Sequence, residues 1–212
     1  MKILKKRRVR TALKAWKTWM TGVGWTAALL SAFAMCGCSQ GLNWREISVD
    51  DSAVSIWLPC KPSEASREIP LSADPGVGEI KINMVGCEKD SMQFAVSYID
   101  EAQVSKLKMP KNAGSDSALN KWMQLWERAS LSSLGIREGF ELRDWPDLKV
   151  ETSPKAQYVR VKNESAIEAQ FLWFGYRGTL YQVALFSASP LAQNKVLLDT
   201  FFDSLQIKLQ PQ

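Results

Sequence analysis

The densest apolar pattern in the chain runs from Glu168 to Phe186. Glu168-Ala-Gln-Phe-Leu-Trp-Phe-Gly-Tyr176 and Thr179-Leu-Tyr-Gln-Val-Ala-Leu-Phe186 are separated by Arg177-Gly178. Aromatic and branched residues favour strands, and a two-residue link containing glycine favours a tight hairpin turn. Large apolar residues occupy both alternating sets of positions. The hairpin is therefore expected at the centre of a sheet, covered on both faces.

Weaker alternation marks the other strands. Trp44–Val49, Ala53–Leu58, Glu79–Val85, Met92–Ile99, Phe140–Trp145 and Ala156–Lys162 all read as strands, and Arg67–Leu71 as a short edge segment because it contains Pro70. Asp50-Asp51-Ser52 and Asp74-Pro-Gly-Val-Gly78 read as turns and Gly86–Ser91 as a loop. Residues 101–116 are polar and read as a loop with room for one helical turn. Leu119, Trp122, Met123, Trp126 and Ala129 recur at three- and four-residue steps, which predicts a helix over Ser117–Leu134 stopped by Gly135. Ser189-Pro190 predicts the cap and first position of a last helix, with Val196, Leu197, Phe201 and Leu205 on its buried face. Strands, helix, strands, helix is the order of an α+β domain. The expected form is an antiparallel sheet of about six or seven strands with two main helices packed on it.

The first 37 residues have a different character. They carry eight of the 27 basic side chains and no acid, leaving 19 basic against 22 acidic side chains, a net of −3, for the rest. The overall charge of +5 thus belongs to the leader, and a nucleic-acid partner is not expected of the folded part. From Thr18 to Gln40 no residue is charged, and Trp25–Met35 is the apolar stretch. Basic end, apolar middle and small residues at a cut are the order of a secretory signal. Met35-Cys36-Gly37-Cys38-Ser39 resembles a lipobox, the bacterial lipid-attachment motif. The resemblance implies cleavage after Gly37 and a diacylglycerol thioether on Cys38. Ser39, in place of aspartate, resembles the outer-membrane class of such lipoproteins. The expected layout is a signal peptide at 1–37, a tether at 38–43 and one α+β domain at 44–210. The competing reading keeps residues 18–37 as a membrane-spanning anchor.

Cys60 and Cys87 are the two remaining cysteines of four. In an oxidising compartment an even pair is expected to form a disulfide.

Candidate chemistry is sparse. The chain has no histidine, which excludes Ser-His-Asp and Cys-His catalysis and histidine-ligated metal sites. Ser105-Lys-Leu-Lys108 matches a Ser-x-x-Lys core, but the Lys-Thr-Gly strand of penicillin-recognising hydrolases is missing. Glu138, Glu141, Asp144 and Asp147 cluster in sequence, the basis for an alternative carboxylate-dependent hydrolase. Trp122 and Trp126 lie one turn apart and read as core rather than as a ligand platform. No cofactor or metal site is expected, and no ligand-binding residue is assigned.

The Leu58-Pro-Cys-Lys-Pro62 corner, Cys87, the Trp44-Arg-Glu start and the Phe201-Phe-Asp-Ser-Leu205 ending resemble an uncharacterised family of proteobacterial lipoproteins. The closing hairpin, Ser-Pro and helix also resemble the PsbP-like fold. That resemblance implies a non-catalytic accessory or binding module of a membrane assembly. The expectation is a non-enzymatic envelope lipoprotein whose partners are the membrane, through its lipid, and an envelope protein.

Overall fold

The computed structural model describes residues 41–49, 54–70, 79–106, 115–145, 148 and 152–208. Contacts divide the chain into Met1–Gly41 and Leu42–Gln212, and every element below belongs to the second unit. The leader and residues 38–40 of the tether, Cys38 among them, lie outside the described residues.

The fold is α+β. Among the described residues seven antiparallel strands form the main sheet: β3 (Ser63–Pro70), β4 (Glu79–Lys89), β5 (Met92–Ile99), β6 (Arg143–Asp144), β7 (Gln157–Lys162), β8 (Glu168–Tyr176) and β9 (Thr179–Ser187). Their order is β3-β4-β5-β9-β8-β7-β6, so the β8–β9 hairpin is central, as its two-faced apolar pattern requires. One expectation is corrected here. The first two strands, β1 (Arg45–Ser48) and β2 (Val54–Leu58), leave the main sheet and pair with β10 (Gln206–Ile207) in a sheet of their own. The described helices are α1 (Glu101–Lys106), α2 (Ser115–Ser133) and α3 (Lys195–Asp203).

Strand alternation sends side chains to two separate cores. One face of the hairpin presents Leu172, Phe174, Tyr181 and Val183 to the small sheet and to α3. There the rings of Phe94 and Phe201 meet edge to face with centroids 5.2 Å apart. The other face presents Phe171, Trp173, Leu180 and Ala184 to the apolar stripe of α2. Trp122 and Trp126 are both buried in this second core.

Local corrections have local causes. The segment expected to be a loop from Gly86 is the end of β4, which reaches Lys89 and turns on Asp90 (φ 51°) and Ser91 (φ 62°). Two positive φ values in a two-residue link match the right-handed twist of a hairpin. Gly86 permits the close pairing: a Cβ there would lie 2.4 Å from the Phe94 carbonyl oxygen. β3 is longer than expected and forms one edge of the sheet. The helix α1 sits inside the polar stretch because the Asp100 carboxylate caps it, accepting the Gln103 N–H at 2.8 Å. β6 keeps only two residues. Among the described residues only Arg143 and Asp144 pair with β7, opposite Tyr158 and Gln157, while Phe140 and Leu142 still face one core and Trp145 the other, as strand alternation requires.

The last helix differs most. A 3₁₀ turn at Leu191–Asn194 precedes α3, and Asn194 makes no side-chain cap. Within α3, five residues at 3.6 per turn put Val196 about 140° around the axis from Phe201. Leu198, Phe201, Phe202 and Leu205 are buried, whereas Val196, expected inside, is 81% exposed.

Candidate functional site

Helix α2 carries one residue that breaks its own pattern. Glu127 stands one turn after Met123 and one turn before Leu131, both buried, so helical geometry turns its carboxyl toward the protein. Glu127 is 4% exposed, and its Oε1 atom has no hydrogen-bond partner among the described residues. Burial pushes its pKa up to about 7, against the pull of the neighbouring Arg128 guanidinium. A carboxyl poised near neutrality is the one strongly perturbed acid among the described residues.

Glu127 lies beneath a groove of about 890 Å³. Asn120, Met123 and Gln124 of α2 form one wall, and Thr152–Lys155 with Gln157 form the other. On its other side Glu127 borders a hollow of about 300 Å³ lined by Arg128, Leu131, Phe140 and Leu142. The far wall is held to the end of β8. Ser153 N–H donates to the Gly175 carbonyl at 3.0 Å, and Gly175 N–H donates to the Pro154 carbonyl at 3.1 Å. The absent side chain of Gly175 permits this approach, since a Cβ there would stand 2.3 Å from the Ser153 oxygen. Gln157 is fixed in turn by donating from Nε2 to Asp144 at 2.7 Å.

Sequence analysis missed Glu127, and the signal was present. The stripe is marked by its apolar members, and Glu127 shares their phase without sharing their chemistry. The acids singled out instead are solvated. Glu138, Glu141 and Asp144 are exposed, Glu141 pairs with Arg143 at 3.3 Å, and Asp147 lies outside the described residues. None of the three described acids lines the Glu127 groove. Of the Ser-x-x-Lys match, Ser105 falls on α1 while Lys108 lies outside the described residues.

Cys60 and Cys87 form a disulfide with Cα atoms 5.8 Å apart, tying the approach to β3 onto β4. Among the described residues no three histidine, cysteine or acidic side chains gather as a metal site would require. No described helix is long and apolar enough to cross a membrane, and residues 18–37 lie outside those described.

No protein-family model matches the chain, and no curated protein matches it. Two solved structures show weak similarity. Cyanobacterial PsbP (CyanoP) from Synechocystis aligns with 82% of this chain and 97% of its own, at 13% identity and a TM-score of 0.43. A protein of unknown function from Pseudomonas aeruginosa aligns with 80% of this chain and 99% of its own, at 13% identity and a TM-score of 0.34. No function is read from either likeness.

Proposed function

We propose that the chain is a bacterial envelope lipoprotein, held at a membrane by acylated Cys38, whose folded body is a non-catalytic binding module. The partition of the cysteines carries this reading. Cys60 and Cys87 are bonded to each other, which suits an oxidising compartment, and Cys38 is left at the end of an apolar leader. An acyl-anchored body has its working surface close to a bilayer. The groove above Glu127 is the seat assigned to its partner.

A hydrolase reading is favoured by one observation, the near-neutral pKa of Glu127. Hydrolysis by carboxylates calls for a second acid about 5–10 Å away. Glu127 is the one acid among the groove's described lining residues. The binding reading therefore stands first.

Intact-mass analysis of the membrane-extracted protein is expected to find a mature form that begins at acylated Cys38. Cys38→Ala is expected to block processing. A mature protein that keeps residues 18–37 overturns the lipoprotein half of the reading. A photo-crosslinking residue at Gln124, on the groove rim, is expected to capture a stoichiometric envelope protein. Repeated recovery of the monomer alone overturns the binding half.

A further inference from the structure

Val196 is the most exposed large hydrophobic residue described, and it does not stand alone. Leu42, 41% exposed, and the partly buried Trp44 and Leu197 line the same hollow of about 500 Å³. Lys195 stands on its rim, paired with Asp199 one turn along α3. Isolated apolar side chains are ordinary on a protein surface. Four around one hollow, two of them within three residues of each other on the entering chain, form a patch.

The position of this patch identifies its occupant. Asn43 N–H donates to the Pro59 carbonyl at 3.0 Å, which fixes where the chain joins the body. Leu42 is four residues from Cys38, a span of at most about 14 Å even when fully extended. The headgroup layer of a bilayer is itself about 5–7 Å deep on each side. A body tethered this closely holds the patch within contact distance of the lipid. Tryptophan is favoured at membrane–water interfaces, and a lysine stem lies on apolar surface with its ammonium in the headgroups.

We propose that this patch is a bilayer-docking face. Leu42, Trp44 and Val196 enter the headgroup region, so the body lies against the membrane instead of swinging free on its tether. The proposal rests on the acylation of Cys38.

The test uses the full mature lipoprotein in vesicles of phosphatidylethanolamine and phosphatidylglycerol. Val196→Cys supplies a single free thiol, because Cys38 is acylated and Cys60 and Cys87 are bonded, and takes an environment-sensitive fluorophore. Lys121→Cys, on the exposed side of α2, is the control. The label at 196 is expected to shift to the blue and to be quenched at least twofold more than the control by lipids spin-labelled near the headgroup. Equal quenching at both sites in protein that still floats with the vesicles overturns the docking face and leaves the anchor standing. Loss of flotation overturns both. A second variant, Val196→Glu, is expected to lower quenching of a label at Leu42→Cys by at least half. No change in that quenching overturns a role for Val196.

Discussion

Trp173 donates its indole N–H to Oε1 of Gln182, 2.9 Å away, across the central strand pair. The same oxygen accepts the hydroxyl of Ser130 at 2.7 Å. One amide therefore ties helix α2 to the middle of the main sheet. Removing it strands two donors beneath the helix, and an unsatisfied buried donor costs about 1–3 kcal/mol. Gln182→Leu is expected to destabilise the protein by about 2–4 kcal/mol, read from the midpoint of urea unfolding. Ser130→Ala leaves the Trp173 bond in place and is expected to cost about 1 kcal/mol.

Glu127 makes stability depend on pH in an unusual direction. Its folded pKa, about 7, lies above the ordinary glutamate value of 4.5, so the native state holds the proton more tightly. The resulting stability is fully present below about pH 4.5 and is lost as pH rises through about 7. The full difference is about 3 kcal/mol. Glu168 acts in the opposite sense. Its bonds from the Arg160 guanidinium and the Leu191 N–H hold its pKa below the ordinary value, so its contribution is lost as pH falls. Comparison with Glu127→Gln separates the two. That variant is expected to match the wild type near pH 4.5 and to exceed it by about 2–3 kcal/mol at pH 8. Equal stability at both pH values contradicts the assignment.

Gly86 tests the close pairing of β4 and β5. Its missing side chain lets the strands meet where a Cβ would overlap the Phe94 carbonyl. Gly86→Ala is expected to destabilise by about 2–3 kcal/mol, within the range for overpacking a close site. Amide exchange along Met92–Ile99 is expected to accelerate with it.

The Cys60–Cys87 bond closes a loop of sequence separation 27. Chain entropy gives such a loop about 3.5 kcal/mol. The double variant Cys60→Ser, Cys87→Ser is expected to lose about that much in urea unfolding. Addition of a thiol reductant is then expected to leave it unchanged while lowering the wild type.

Where the chain chemistry was local, the sequence was readable. Arg177-Gly178 marks its turn because glycine accepts a positive φ, and the hairpin around it lies where its pattern put it. Asp90 and Ser91 adopt the same kind of turn without glycine, so no local signal marks the end of β4 as a strand. The small sheet was hidden because β10 contributes two residues that pair with Ser55 and Val54 from the other end of the chain. No local pattern marks so distant a partnership. Val196 is apolar but out of phase with the stripe, since at 3.6 residues per turn it stands about 140° around α3 from Phe201. Glu127 was legible in principle, since its phase on α2 follows from Met123 and Leu131 alone.

The main sheet acts as a partition. Among the described residues, the hydrophobic cluster under α3 and the cluster under α2 share no buried member. Substitutions far apart and without shared neighbours sum in their effects. Damage behind Phe94 and damage behind Trp122 should accumulate without amplifying each other. Each flank is thus free to diverge under its own selection, with the strands between them as the common scaffold.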